Sequence, residues 1–398
     1  MASPADNLFG TDDVFVEQTS DGLLGESAVV SCRRRGYRYK HHVWRRPSNG
    51  PREVGVSRGF PTELLALVRC PHDDGELDGP FPSGAPGSAG SPGLLVDAAV
   101  RCRVCGRGFR VEGGILRLLD DLWEPDPESA HEAQLRDSIV GNGDYVEQFR
   151  ATRADQQFDQ MEMRPTLAAL APLRDHVVLE LGAGTGRYTV PLAKESRAIL
   201  AVDFSVRSLE TLAAKLPDPQ RRSGARVGLV QADVTRLCLA PRAFDRILST
   251  LVSNLPSRAH RQAMYRLAAG SLCADGQFVL SAHHYGLRQR LRHEPVDGRY
   301  SEGGIYRHLF GASEISNELQ PYFGRTSCRP IQIALPFTYR WPGFPLEAVS
   351  RLAERSPLVK RLGFLLLATA RRPTETSVCD RPAEPQAQPT PPPERRVA

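Results

Sequence analysis

The chain has 398 residues, of which 41% are hydrophobic, and a formal net charge of +5. This length and apolar content suffice for one large domain with a substantial core and a smaller second unit. The charge comes almost wholly from arginines interspersed with acidic residues, which is typical of a solvated surface and unlike the clustered patch of a nucleic-acid-binding domain. No apolar run approaches the roughly eighteen residues of a membrane span, and the chain does not begin with a secretory signal, so we expect a cytoplasmic protein.

Residues 1–60 show neither helical nor strand periodicity, and the sequence predicts a disordered N-terminal segment. It contains the basic, aromatic run Cys32-Arg-Arg-Arg-Gly-Tyr-Arg-Tyr-Lys-His-His42. Arginine and tyrosine both stack on bases, so this run is a candidate RNA contact. A solvated tail is the simpler interpretation, because no folded unit presents the run.

Residues 61–120 are predicted to form a small, separate, β-rich unit. Two short motifs, Cys70-Pro-His-Asp73 and Cys102-Arg-Val-Cys105-Gly, flank a linker rich in Gly, Pro and Ser, and the run Gly113-Gly-Ile-Leu follows. In a reducing compartment such cysteines indicate a metal site in preference to disulfides. The unit resembles the zinc-ribbon proteins that activate tRNA and rRNA methyltransferases, with an aspartate in place of their second cysteine.

This resemblance implies a zinc site in which Asp73 joins Cys70, Cys102 and Cys105, with His72 as a substitute ligand. Tetrahedral zinc accepts a carboxylate oxygen, although structural sites favour thiolates and imidazoles. The alternative is a fold that its core maintains without metal.

A polar, helix-prone segment covers residues 128–170. Tyr145 and Phe149 have helical spacing and therefore lie on one face of a helix. They either close a pocket or pack the helix against its neighbours.

The run His176-Val-Val-Leu-Glu-Leu-Gly-Ala-Gly-Thr-Gly-Arg187 predicts a strand that ends in a cofactor-binding loop. Glycines permit positive φ and let a ligand approach the backbone, and the following helix directs its first N–H groups towards that ligand. A second apolar run, Ala198–Val202, delivers Asp203, where doubly wound folds hold a ribose hydroxyl. The loop departs from the dinucleotide pattern G-x-G-x-x-G, because Gly186 comes one residue early.

Five motifs in order resemble those of class I S-adenosylmethionine-dependent methyltransferases: Glu180-Leu-Gly-Ala-Gly-Thr-Gly186, Val202-Asp-Phe-Ser205, Val230-Gln-Ala-Asp-Val234, Phe244-Asp-Arg-Ile-Leu-Ser-Thr250 and Leu272-Cys-Ala-Asp-Gly-Gln-Phe-Val-Leu280. The resemblance implies an α/β fold, a doubly wound, Rossmann-like sheet of seven strands. We therefore assign residues 121–372 to a methyltransferase domain, with lid helices at 128–170, a core at 175–282, a substrate insertion at 283–325 and last strands at 326–372. The Pro-rich residues 373–398 are predicted to be a disordered tail.

The same resemblance implies which residues bind S-adenosylmethionine. The backbone of the glycine loop holds the methionine portion, Asp203 accepts from the ribose hydroxyls, and Asp233 accepts from the adenine amino group. Phe204 or Val234 lies against the adenine plane. The complete predicted set is Glu180, Gly182, Ala183, Gly184, Gly186, Asp203, Phe204, Asp233, Val234 and Ser249.

Methyl transfer by in-line displacement depends chiefly on orientation, so a catalytic acid or base is not obligatory. His283 and His284 follow the fifth core strand, where ligands meet doubly wound sheets, and either one is a candidate base. Tyr145 is a third candidate. A histidine in such a loop is more often structural, because position alone does not establish reach to a substrate.

Three hypotheses differ in the methyl acceptor that they assign to the protein. The segment after Ser249 lacks the Asn/Asp-Pro-Pro-aromatic signature of enzymes that methylate base amines, which favours O- or N-methylation of a small-molecule metabolite. The zinc-ribbon resemblance and the basic run at Cys32 favour tRNA or rRNA instead. A third hypothesis is a regulatory protein that binds the cofactor without catalysis.

Overall fold

The computed structural model describes residues 59–81, 93–119, 127–141, 145–148, 150, 152–216, 225–252, 255, 257–299, 304–334 and 344–374, together with the backbone of three strands within 14–44. Among the helices in these ranges, none combines the length and the apolar character that crossing a membrane requires.

The three N-terminal strands are antiparallel: β1 (Val14–Glu17), β2 (Ser27–Arg34) and β3 (Tyr37–Trp44). Arg34 pairs with Tyr37, so two residues, one of them Gly36, separate β2 from β3, and this is the commonest hairpin spacing. Valines in β2 and tyrosines in β3 favour extended backbone. These strands differ from the disorder expected over residues 1–60.

The small unit contains short strands and a 3₁₀ helix over Thr62–Leu67. The strands are β4 (Phe60–Pro61), β5 (Val68–Arg69), β6 (Leu77–Phe81), β7 (Leu94–Leu95), β8 (Ala98–Cys102), β9 (Gly108–Glu112) and β10 (Ile115–Arg117). In β9, Phe109 and Val111 are buried while Gly108 and Arg110 are exposed, so period-two alternation gives the strand one apolar face.

In the rest of the chain, strands and helices alternate, as in a parallel α/β sheet. The helices are α1 (Pro127–Gly141), α2 (Tyr145–Gln148), α3 (Arg153–Leu170), α4 (Thr189–Leu192), α5 (Val206–Lys215), α6 (Arg258–Ser271), α7 (Leu287–Leu291), α8 (Ala312–Leu319) and α9 (Leu346–Ala353), with a 3₁₀ helix over Val359–Leu362. The strands are β11 (Val177–Leu181), β12 (Ala198–Asp203), β13 (Arg226–Gln231), β14 (Cys238–Leu239), β15 (Phe244–Thr250), β16 (Leu272–His283), β17 (Asp297–Arg299), β18 (Tyr306–His308), β19 (Phe323–Ile331) and β20 (Leu365–Pro373).

The central strands have the order β13-β12-β11-β15-β16-β20-β19, and β20 runs antiparallel to both of its neighbours. The chain moves outwards from β11 to β13 and then crosses back to β15, so the direction of winding reverses between β11 and β15. Ligands bind at the carboxyl ends of the strands on either side of such a reversal. The predicted doubly wound, seven-stranded fold is confirmed.

The small unit continues this sheet. Strand β10 pairs in parallel with β13, with Leu116 opposite Val230, and β9, β8 and β6 follow it, which gives one sheet of eleven strands. The sequence had indicated a separate unit. The two join because β13 would otherwise leave a row of unpaired backbone groups at the sheet edge.

Gly228 in β13 makes room for the small unit. A Cβ atom at this position would lie 2.9 Å from Phe60 Cε2 and 3.1 Å from Leu64 Cδ1. Phe60 and Leu64 belong to the same buried apolar cluster as Val230 of β13, so one continuous core joins the small unit to the large one.

We predict that Phe60→Ala lowers the free energy of unfolding by about 3–5 kcal/mol, because it removes a fully buried ring between the two units. Phe81→Ala is the matched control, since this ring is 37% exposed on an edge strand, and we expect a loss below about 1 kcal/mol. Chemical denaturation of the full chain measures both. Equal losses in the two variants would contradict this packing.

Candidate active site and cysteine cluster

The glycine turn after β11 depends on residues without side chains. Gly182, Gly184 and Gly186 have φ values of 77°, 54° and 89°, in the left-handed region that favours glycine. A Cβ atom on Gly182 would lie 2.1 Å from Val252 Cγ2, and one on Gly186 would lie 2.3 Å from Leu212 Cδ1. The turn therefore packs tightly against its neighbours.

Asp203 joins this turn to the end of β12. Its Oδ2 accepts the N–H of Gly184 at 2.7 Å, and its Oδ1 accepts the N–H of Ser205 at 2.9 Å. Burial raises the pKa of this carboxyl, and the backbone donors oppose that effect. Each oxygen keeps acceptor capacity beyond its backbone bond, so the carboxyl suits a pair of ribose hydroxyls.

Glu180 is buried at the end of β11, where the Oγ1 of Thr189 donates to its Oε2 at 2.7 Å. Burial raises the pKa of Glu180 to about 8, and the charge of Asp203 adds to that rise. Near neutral pH this carboxyl is therefore largely protonated. A cationic ligand placed beside it would favour the ionised form, which fits the sulfonium and ammonium groups of S-adenosylmethionine.

The other predicted cofactor residues lie along the same edge of the sheet. Asp233, half-buried after β13, accepts the N–H and the hydroxyl of Thr235 at 2.8 and 2.7 Å. Val234 is buried and Phe204 is half-buried. The hydroxyl of Ser249 lies 3.6 Å from the sulfur of Met264, so this side chain packs against α6.

A buried ion-pair network, which the sequence did not reveal, anchors the turn to α3. Arg187 contacts Asp159 and Glu162, each at 2.6 Å. Ser281 of β16 donates to Glu162 at 2.9 Å, and Arg150 pairs with Asp159 at 2.7 Å. Burial alone would lower the pKa of Arg187, but the charges of Glu162 and Asp159 raise it. The sequence does contain one signal for this network: Asp159 and Glu162 are acids three residues apart, so they lie on one face of the helix.

Helix α1 extends across the carboxyl ends of the strands. At one point Asp137 accepts a hydrogen bond from the hydroxyl of Ser205, beside Asp203. At another, Glu132 accepts the N–H of Tyr306 at 2.7 Å and pairs with Arg299 at 3.2 Å. Helix α1 thus connects the cofactor side of the site to the hairpin formed by β17 and β18.

The three candidate catalytic residues differ in their surroundings. The Nδ1 of His284 lies 2.8 Å from the carbonyl oxygen of Gly363, which holds this ring against the segment before β20. His283 is half-buried at the end of β16, and burial together with the charge of Arg307 lowers its pKa to about 4. Tyr145 begins α2, but its side chain lies outside the described residues.

The four predicted metal ligands converge. One donor atom from each of Cys70, Asp73, Cys102 and Cys105 lies within 4.8 Å of the others. Cys102 Sγ is 3.2 Å from Asp73 Oδ1, and the Cys70 and Cys105 sulfurs are 3.8 Å apart. The ring of His72 instead stacks on Phe109, with ring centroids 6.3 Å apart. Three thiols and one carboxylate form a donor set that suits tetrahedral zinc.

Residues 178–276 match the family of methyltransferase domains. A proposed S-adenosylmethionine-dependent methyltransferase from Listeria monocytogenes is similar, with 18% identity over 55% of this chain and 99% of that chain and a TM-score of 0.42. An S-adenosylmethionine-dependent methyltransferase from Mesorhizobium loti has 19% identity over 53% of this chain and 98% of that chain, with a TM-score of 0.38.

A third similar structure is the complex between the Haloferax volcanii Trm112 methyltransferase activator and its proposed methyltransferase. One chain of that complex has 15% identity over 60% of this chain and 98% of that chain, with a TM-score of 0.42. No curated protein matches the sequence.

The family match, the strand order and the carboxylates at the strand ends together define the class, a methyltransferase domain of class I. This domain makes the chain an S-adenosylmethionine-dependent methyltransferase, and S-adenosylmethionine is its cofactor.

We predict that Asp203→Asn weakens S-adenosylmethionine binding by about tenfold or more, because charge-assisted hydrogen bonds to the ribose are lost. Asp245→Asn is the matched control: Asp245 accepts the N–H of Val177 at 2.8 Å, at the opposite end of the parallel strands. Isothermal titration calorimetry measures both affinities. Unchanged affinity in the Asp203 variant would contradict its role in ribose binding.

Proposed function

We propose that this enzyme transfers the methyl group to an oxygen or nitrogen of a small-molecule metabolite that binds between α1 and the insertion after β16. The observation that carries this proposal is the position of α1. Its contacts from Asp137 to Ser205 and from Glu132 to Tyr306 connect both sides of the site. A site bordered in this way favours a small acceptor over a folded RNA.

Three arginines, one next to the glycine turn and two in the β17–β18 hairpin, pair with carboxylates, which supports the same acceptor class. Arg187 pairs with Asp159 and Glu162, Arg299 pairs with Glu132, and Arg307 lies 3.7 Å from Glu294. RNA binding draws on cations that neutralise phosphates. Arginines already paired with carboxylates contribute less to such binding than unpaired arginines would.

Orientation is the main contribution of the protein to the reaction. When bound, S-adenosylmethionine would supply a methyl group on a sulfonium. An acceptor lone pair would bond to the methyl carbon as the carbon–sulfur bond breaks, and S-adenosylhomocysteine would leave as the neutral thioether. The backbone of the glycine turn and Glu180 would hold the methionine portion, Asp203 would hold the ribose, and Asp233 would hold the adenine. Holding donor and acceptor in line contributes about 7–11 kcal/mol of barrier reduction, so a base is needed only when the acceptor carries a proton.

His283 is the better placed candidate for that base. Its lowered pKa leaves the ring neutral at pH 7, so its lone pair is available to accept a proton from an acceptor hydroxyl, although a ring with this pKa is a weaker base than an ordinary histidine. His284 is buried and held by its contact with Gly363, which favours a structural role. Tyr145 stays a candidate on its sequence position alone.

We predict that His283→Ala lowers turnover by about 100-fold or more while S-adenosylmethionine binding is kept, the scale of losing general-base catalysis. Turnover is measured as the transfer of label from radiolabelled S-adenosylmethionine to a panel of small hydroxyl and amine acceptors. Total tRNA and rRNA are tested in parallel. Since protonation removes the base, the His283-dependent rate should fall only as the pH approaches about 4. Near-normal turnover would exclude His283.

The same assay distinguishes the acceptor classes. Label on small molecules supports the proposal, and label on RNA, with binding that weakens steeply as salt rises, favours the tRNA or rRNA alternative. Cofactor binding without transfer to any acceptor in the panel favours the regulatory alternative.

We further propose that Cys70, Asp73, Cys102 and Cys105 bind one zinc ion. Their convergence from two turns, one after β5 and one after β8, supports the site. Zinc there would cross-link the two turns and stabilise the small unit.

We predict that the purified full chain contains about one equivalent of zinc, because structural sites are nearly filled. Asp73→Ala should lower the zinc content, and Asp73→Cys should slow its loss to a chelator, since thiolate is the stronger ligand. Cys238→Ser is the control, because this buried cysteine lies outside the cluster. Elemental analysis measures the zinc content of all four proteins. Less than about a tenth of an equivalent of zinc in the unaltered chain would refute the site.

A further inference from the structure

Three leucines are exposed on adjoining segments near the insertion. Leu287, Leu291 and Leu358 are 46%, 72% and 74% exposed. Single exposed apolar residues are ordinary on protein surfaces, but grouped ones mark interaction sites. Leu287 and Leu291 are four residues apart on α7, so they lie on one face of that helix.

Leu358 belongs to the neighbouring segment, directly before the 3₁₀ helix over Val359–Leu362. The two segments pack closely, because a Cβ atom on Gly286 would lie 2.9 Å from the carbonyl oxygen of Arg361. The guanidinium of Arg288 lies over the ring of Phe364, 4.6 Å from its centroid. The exposed leucines therefore lie on neighbouring parts of the surface.

Basic side chains accompany these leucines. Residues 287–293 and 355–362 contain no aspartate or glutamate. Their exposed cations are Arg290, Arg292, Arg355, Lys360 and Arg361.

The nearest carboxylates in sequence do not cancel this charge. Glu354 pairs with Arg329 of β19 at 2.9 Å. Glu294 lies 3.9 Å from Arg292 and 3.7 Å from Arg307, so it offsets only part of the local positive charge.

We propose that this leucine–arginine surface, residues 287–293 and 355–362, docks on an anionic lipid surface. Lipid satisfies both features at once, because leucines enter the acyl boundary while arginines and lysine approach the phosphate groups. RNA would use the cations but gain little from exposed leucines, since bases stack on aromatic rings and arginine planes. Charge complementarity together with the exposed leucines therefore favours lipid.

The location of this surface gives the docking a function. Helix α7 begins three residues after His284, so the surface borders the proposed acceptor site. If the proposed function holds, docking brings acceptors that partition into lipid next to the cofactor. Binding to vesicles requires no turnover, and its outcome is therefore independent of the proposed acceptor.

Co-sedimentation of the full chain with vesicles of phosphatidylcholine, with and without phosphatidylglycerol, tests the proposal. Binding is expected only with phosphatidylglycerol and should weaken as salt rises. Two double variants should each bind anionic vesicles at least about tenfold more weakly than the unaltered chain. One combines Leu287→Ser with Leu291→Ser, and the other combines Arg290→Gln with Arg292→Gln. Val104→Ser is the matched control, because Val104 is 72% exposed on the small unit and should leave binding unchanged.

Unfolding curves and S-adenosylmethionine affinity, measured on every variant, show that each one is folded. Absence of binding to anionic vesicles would overturn the proposal. Full binding by the folded leucine variant would also overturn it, because charge alone would then account for attachment. Tighter binding to total RNA than to vesicles, with no effect of the leucine substitutions, would assign the surface to RNA instead.

Discussion

The tight turn after β11 is the constraint on which the site depends. Val252 and Leu212 leave no space for side chains at Gly182 and Gly186, and Asp203 holds the intervening Gly184 by its backbone N–H. Backbone therefore lines the loop at the point where the sheet reverses its winding. In the proposed reaction this fixed backbone would orient the cofactor, and orientation is the main source of rate in methyl transfer.

Carboxylates around the turn divide into two groups with different surroundings. Asp159 and Glu162 both pair with Arg187, Asp159 also pairs with Arg150, and these contacts fix α3 to the loop. Glu180 and Asp203 receive uncharged donors in a buried site, and burial raises the pKa of each. The first group is paired within the fold, whereas the second suits a cationic cofactor with sugar hydroxyls.

The small unit and the methyltransferase domain share one sheet and one core. Strand β10 covers the edge of β13, and Phe60 fills the space above Gly228. The cysteine cluster lies in turns of this unit, so a metal there would stiffen a part of the sheet that is continuous with the cofactor strands. The leucine–arginine surface instead adjoins the other part of the sheet, beyond β16.

Much of the fold was predictable from local patterns in the sequence. The strand runs, the glycine turn and the ordered carboxylates predicted the doubly wound fold and a cofactor site at the carboxyl edge of its strands, because period and turn chemistry are local properties. The fold is confirmed, and the site stays a prediction. The sequence also grouped the four metal ligands. It did not reveal the pairing of β10 with β13, the partners of Arg187 or the neighbouring positions of Leu291 and Leu358. Those contacts join residues far apart in the chain, and only close packing of the folded chain decides which side chains meet.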